Sequence, residues 1–319
     1  MRSMIDVKLF ADFLNEDIED IPSLVGDQLI VPKGRVIIYG APGQFKSYAG
    51  LQLCYGMALG TQWLGYEVHQ PAKVLYLQAE IVPRQMQERG GKMNNMYGST
   101  NNLLYGYTRD FALDTPASWD ALTKAVKEND VEYVFLDPMS QLLPGSEIDD
   151  VVMRNFLRGM DILSTLTDAG VVIVHHARKS VSQGDGTTYA GAEDLRGWSG
   201  LSAWADCIVR LRRLHNLPGV IEMSWEKVRY TSDQPAKWLR FDDSCGILTV
   251  SEGDPQSVVI RLLENGPMGI KELDVVLQKE AGLTPRRCIS KRQELEKNRV
   301  IEQYKDPVNK KFQMVRLVK

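Results

Sequence analysis

Cysteine and histidine are scarce in this 319-residue chain, and their scarcity closes several routes. Four cysteines, Cys54, Cys207, Cys245 and Cys288, stand far apart without a CxxC pair. Neither a disulfide framework nor a zinc site is indicated, and reduced structural thiols are expected. Four histidines are too few for a metal cluster unless the adjacent pair His175-His176 contributes. No apolar run approaches the roughly 18 residues needed to cross a bilayer. The opening Met1-Arg2-Ser3-Met4-Ile5-Asp6-Val7 reaches an acidic residue before any signal-like apolar stretch. A cytoplasmic protein with no membrane partner is expected. Internal repeats and low-complexity tracts are lacking too.

What is present is ordinary for a globular chain: 44% hydrophobic and 25% charged residues. The net charge of -3 conceals an asymmetry, because residues 255–319 hold 14 Lys+Arg against 8 Asp+Glu. The remainder holds 24 against 33, so attraction to a polyanion has to be local.

From residue 35 onward, short β-rich runs alternate with helical spacing. Arg35–Tyr39, Val74–Leu77, 103–106, Tyr133–Leu136 and Val171–Val174 read as strands, and 48–59, 83–96, 117–128 and 151–168 as helices. Strands apolar on both faces predict a mainly parallel α/β sheet flanked by helices. The runs 206–212, 220–226, 236–241 and 247–250 predict hairpins and an antiparallel edge. Glu252-Gly253-Asp254-Pro255 marks a boundary between a unit over 1–253 and another over 254–319. In the second unit, helices near 256–264, 270–281 and 285–298 precede strands 300–304 and 312–316, the order of a small winged helix.

Chemistry enters at Gly40-Ala41-Pro42-Gly43-Gln44-Phe45-Lys46-Ser47, followed by Tyr48. The spacing matches G-x-x-x-x-G-K-[ST], in which amides of a glycine-rich turn at a helix start surround phosphates. Lysine then reaches the β/γ-phosphates and the hydroxyl takes Mg²⁺. ATP and Mg²⁺ are the cofactors expected of this loop. Phe45 stands where the pattern has glycine. A side chain there is expected to restrict the backbone to φ < 0, with two outcomes open: a weaker grip on nucleotide, or a ring packed outward.

Phosphoryl transfer also needs a metal-holding carboxylate and a group that positions water. Asp137 follows the strand Tyr133–Leu136, Glu80 follows Val74–Leu77, and His175-His176 end the strand begun at Val171. Ligands in open parallel sheets collect beyond the carboxyl ends of strands, so these residues are expected to share one crevice. Alone, each also fits a turn, a cap or a structural role.

With these residues in place, the chain resembles the RepA-like branch of hexameric replicative helicases and related AAA_25 ATPases, which share a RecA-like core. Ala58-Leu59-Gly60-Thr61-Gln62-Trp63-Leu64-Gly65, Val74-Leu75-Tyr76-Leu77-Gln78-Ala79-Glu80 and Asp137-Pro138-Met139-Ser140-Gln141-Leu142-Leu143-Pro144-Gly145 carry the likeness. So do Val174-His175-His176-Ala177-Arg178-Lys179 and Asp194-Leu195-Arg196-Gly197-Trp198-Ser199-Gly200-Leu201, where Trp198 replaces a small residue. The resemblance, which covers about 20–250, implies that Glu80 polarises water and that a strand-end histidine senses the γ-phosphate. It further implies that Lys227 and Arg229 reach the triphosphate of a neighbouring subunit in a homo-oligomeric ring, a hexamer; the alternative is a solvated strand edge. No primase-interaction segment of the larger DnaB type is recognised.

The stretch 179–193 matches a pore loop in such cores, with Lys179 for phosphate and Tyr189 for base stacking. A plain surface loop fits it as well. Arg286, Arg287, Lys291 and Arg292 follow the helix start Thr284-Pro285 and are candidates for DNA contact, though winged helices also dock proteins. The leading expectation is an ATP-driven ring helicase or translocase on single-stranded DNA, serving a plasmid or phage-like replicon. Alternatives are an ATP-regulated initiator or transcription regulator of slow turnover, and a recombinase-like filament ATPase.

Overall fold

A computed structural model describes the chain outside residues 1–6, 109–110, 144, 148, 177–198, 214–218, 252–254, 265, 282, 308 and 319. After a short helix α1 (Phe10–Phe13), strand β1 (Arg35–Gly40) leads into α2 (Lys46–Leu59). A small hairpin follows, β2 (Gln62–Trp63) and β3 (Tyr66–Glu67), with positive φ at both Leu64 and Gly65 in its turn. The alternation continues through β4 (Val74–Gln78), α3 (Pro83–Tyr97), β5 (Leu103–Tyr107), α4 (Pro116–Glu128) and β6 (Tyr133–Asp137). Then come α5 (Met139–Leu142), α6 (Asp150–Thr167), β7 (Gly170–His176), α7 (Ser199–Trp204) and β8 (Cys207–Arg213). Strands β9 (Val220–Val228), β10 (Lys237–Asp242) and β11 (Ile247–Val250) complete the large sheet.

The nine strands lie in the order β11-β10-β9-β8-β1-β7-β6-β4-β5. From β8 to β5 the pairs are parallel; from β8 to β11 they are antiparallel. The predicted α/β class and antiparallel extension are both found. Two apolar layers cover the sheet. One joins Ile38, Tyr76, Phe135 and Val172 to Leu53 and Met57 of α2, and the other joins Ile37, Leu136 and Ile173 to Phe156 and Met160 of α6. Alternation along each strand divides the residues between these layers.

Beyond residue 254 lie α8 (Pro255–Glu264), β12 (Met268–Gly269), α9 (Ile270–Glu280), α10 (Pro285–Lys297), β13 (Ile301–Lys305) and β14 (Gln313–Leu317). The three strands pair antiparallel in the order β12-β14-β13. A third apolar cluster unites Val258, Leu273, Leu277, Leu295, Ile301 and Val315, and takes in Val220 and Trp238 from the large sheet. Among the described residues no helix is long and apolar enough to cross a membrane.

Candidate nucleotide site

Strand β1 is completely apolar except at its ends, which pulls it to the middle of the sheet and delivers its last residue, Gly40, to the carboxyl edge. Gly40 lies against the next strand so closely that a Cβ would collide with the Leu211 carbonyl oxygen. Gly43 turns the loop at φ 75, and α2 begins at Lys46, two residues earlier than its periodicity indicates. The amides of Lys46 and Ser47 therefore open a helix, where anions are favoured.

Phe45 departs from expectation. It does not hold φ < 0; it caps the helix in the left-handed region at φ 61, ψ 19. That conformation costs a non-glycine residue about 1–2 kcal/mol. The ring is engaged on the antiparallel side: its centroid lies 4.2 Å from Phe241, and the Arg213 guanidinium sits 4.5 Å above it. Such contacts offset the backbone cost. Tyr48 packs edge-on to Phe241 at 4.6 Å with the Arg89 guanidinium 4.2 Å from its ring.

Lys46 is 4% exposed and its ammonium donates to the Ala41 carbonyl at 2.9 Å. Burial lowers its pKa to about 8, against the opposing pull of Asp137 and Glu80. Asp137 is 1% exposed. Ser47 Oγ donates to its Oδ1 at 3.1 Å, and the Tyr76 hydroxyl donates to Oδ2. Burial raises the Asp137 pKa, with the hydrogen bonds from Tyr76 and Ser47 working in the other direction.

Glu80 is exposed beyond the end of β4, with one oxygen 3.8 Å from His176 Nε2. The backbone amides of Glu80 and Ile81 donate to Gln78 Oε1, which fixes the turn out of the strand. The two histidines separate. His176 shares the P-loop face with Glu80, whereas the alternation of β7 turns His175 to the other layer, 3% exposed, with Nδ1 3.8 Å from Glu147 Oε1. The expectation of two imidazoles in one crevice is thus corrected to one. Burial, then His176 and Lys46, push the His175 pKa down to about 4. Gln78 Nε2 and His176 Nδ1 are buried at this edge with no hydrogen-bond partner.

These groups fit a Mg²⁺-nucleotide. A helix start, a buried ammonium satisfied by one carbonyl, and idle nitrogens suit phosphate oxygens. Ser47 and Asp137 offer hard oxygens, and among the described residues no cluster of three or more His, Cys, Asp or Glu could hold a metal alone. That is the economy of Mg²⁺, which keeps water and substrate phosphate in its shell.

Other expected residues are not in this crevice. Lys227 and Arg229 lie at the opposite edge, since β9 runs antiparallel and Val228 pairs with Cys207 at the start of β8. Lys227 Nζ donates to the carbonyls of Ser202, Ala203 and Ala205 at 2.9, 3.3 and 2.6 Å, closing the end of α7. Arg229 pairs with Asp206 at 3.2 Å. Arg286 and Arg287 are exposed on the first turn of α10, and Lys291 pairs with Glu294 at 2.7 Å. Arg292 is a correction: it is buried, its Nε and Nη2 bound to the two oxygens of Asp274 at 2.9 and 3.1 Å, with Gln303 on Nη1. A guanidinium so committed braces α9 against α10 and is not available to DNA. Lys179, Tyr189 and the rest of 179–193 fall outside the described residues, as does most of the 194–201 stretch.

Sequence reasoning missed Tyr76, Gln78, Arg89 and Arg213. A tyrosine and a glutamine within a fully buried strand were the available signals, because buried polar groups need partners.

A phosphate loop between the central strand and its helix, with an acid two strands away at the same edge, defines a P-loop NTPase of RecA-like fold. The chain belongs to the AAA_25 family, described as AAA domain, which matches residues 2–182. No curated protein matches its sequence. Among solved structures it is similar to the ATPase domain of G40P, with a TM-score of 0.52 and 14% identity over 68% of this chain and 84% of that one. It is also similar to a DnaB-like replicative helicase studied with primase, TM-score 0.55 and 15% identity, over 68% of this chain and 57% of the helicase. A KaiC-like protein, PH0186 from Pyrococcus horikoshii OT3, aligns with TM-score 0.50 and 13% identity over 69% and 90% of the two chains. At such identities the likeness concerns the fold.

Proposed function

We propose that this protein is an ATP-driven, ring-forming motor that translocates on single-stranded DNA, in the replication of a plasmid or phage-like element. The observation that carries the reading is the single crevice in which the P-loop, Asp137, Glu80 and His176 meet at the carboxyl edge of β1, β4, β6 and β7. In this reading Lys46 binds the β/γ-phosphates, Ser47 and Asp137 hold Mg²⁺, Glu80 orients the attacking water and His176 reads the γ-phosphate. The bound ion would neutralise charge on the phosphate oxygens. Lys227 and Arg229, at the far edge, serve a neighbouring copy in a hexameric ring. Their distance from the P-loop of their own chain suits an action in trans, where charge arrives only when the assembly closes. Residues 254–319 act as a winged-helix unit, for which the helix–strand–helix–helix–strand–strand order speaks, and its apolar cluster joins it to the large sheet through Val220 and Trp238.

The test is Mg²⁺-dependent ATP turnover with and without single-stranded DNA, alongside unwinding of a forked duplex and the mass of the assembly. Stimulation by DNA that Lys46→Ala abolishes is expected. A strictly monomeric protein indifferent to single strands would overturn the motor.

A second reading, an ATP-regulated initiator or transcription regulator of slow turnover, is favoured by Arg286 and Arg287, exposed at the start of α10 behind the Thr284 cap. Duplex binding lost with Arg286→Ala and Arg287→Ala, without unwinding, would select it. Closed rings in electron micrographs would dispose of a filament.

A further inference from the structure

We propose that Tyr76 is a positioning residue for the metal-side carboxylate: its hydroxyl holds Oδ2 of Asp137, reserving Oδ1, the oxygen bonded to Ser47, for the divalent cation. The inference rests on the nucleotide-site reading above and assigns a role to a residue outside its motifs.

Strand β4 is Val74-Leu75-Tyr76-Leu77-Gln78, and Tyr76 stands directly opposite Phe135 of β6. Asp137 lies two residues further along β6, on the same face as Phe135. A diagonal neighbour is farther away than a direct partner, a gap that an aliphatic side chain leaves open and the Tyr76 phenol spans to reach Asp137. The Tyr76 ring is 1% exposed, so its hydroxyl has to find a protein partner, and the partner is Asp137.

The two hydroxyls on this carboxylate differ in their freedom. Ser47 sits at the half-exposed start of α2, where its oxygen can turn and trade partners. Tyr76 is fixed in the sheet and approaches from the interior. A cavity of about 350 Å³, lined also by Leu51, Tyr55, Met86, Leu103 and Tyr105, adjoins Tyr76. Beside that cavity the ring stays buried, and its hydroxyl bond to Asp137 fixes where the phenol ends.

The test uses the full chain and a fluorescent ATP analogue, titrated in EDTA and then across a Mg²⁺ series. For Tyr76→Phe, affinity in EDTA is expected to equal that of the wild type. The half-saturating Mg²⁺ concentration is expected to rise about tenfold, equivalent to about 1.4 kcal/mol. Hydrolysis should recover its maximal rate at high Mg²⁺, a change in metal requirement and not in kcat. In the Asp137→Asn background, Tyr76→Phe should add no further change to the Mg²⁺ response. Should the phenylalanine variant melt early, Tyr76→Met carries the same expectation. A wild-type Mg²⁺ curve for the variant, or an equal loss of affinity with and without Mg²⁺, overturns the inference while leaving the nucleotide site intact. Absence of any Mg²⁺-dependent nucleotide binding by the wild type overturns both.

Discussion

At the carboxyl end of the parallel strands, charged and polar groups are poorly provided for. Lys46 donates to one carbonyl, Asp137 accepts from two hydroxyls, and Gln78 and His176 each bury an unpartnered nitrogen. At the amino end the opposite holds. Arg35 spans Asp161 and Asp206, Trp204 donates to Asp161, and Lys227 closes the end of α7 while Arg229 pairs with Asp206. One sheet thus has an end whose charges are paired with one another, with Asp206 Oδ1 held by an ion pair alone, and an end whose needs an external ligand would meet. Burying polar groups without partners costs free energy, so the second arrangement persists where function holds it in place.

The largest expected effect bears on whether the satisfied end is only structural. Arg229→Ala is expected to lower ATP turnover of the assembled protein about 10³-fold, the scale of an arginine supplied in trans. Nucleotide affinity of the isolated chain should stay unchanged. Unchanged turnover with a lower melting temperature would confine Arg229 to its pair with Asp206.

Arg292→Ala extends the comparison to the C-terminal helices. Leaving the half-buried Asp274 without its bidentate partner should destabilise the protein by about 3 kcal/mol, measured by urea denaturation. Arg286→Ala, on the exposed turn, should be near neutral in the same melt.

His175 tests the dissatisfied end through pH. Its folded pKa, about 4, lies below the ordinary 6.5, so between those values the unfolded chain binds the proton that the buried ring refuses. Stability should fall by about 3 kcal/mol as pH drops through that window. His175→Gln should flatten the dependence, and an unchanged slope would show that the ring titrates normally.

Much of this was legible in the sequence. The loop and its lysine, the acids after β4 and β6, and the switch to antiparallel strands after 205 follow from spacing and from apolar runs. The opposite orientation of His175 and His176 was also legible, since neighbours on a strand face opposite ways, but the pair read as one site. Arg292 was not, because its partner Asp274 is on another helix and charge spacing along α10 cannot reveal it. Nor was the left-handed turn at Phe45, whose support comes from Phe241 and Arg213, far along the chain.

The smallest expected effect belongs to that turn. Phe45→Gly removes the strained φ and also the aromatic and guanidinium contacts, so stability should shift by less than about 1 kcal/mol in either direction, read from the melting temperature. A larger loss would mean that the stack, and not the glycine-like turn, holds the loop.

The close fit of Gly40 against Leu211 gives β8 a part beyond hydrogen bonding. This strand runs about 20 Å from the phosphate loop to Asp206 and Arg229. At Gly40 no side chain separates the two backbones, as a washer would. A push on the loop at that point passes from main chain to main chain, and β8 is a tie-rod between the two ends of the sheet.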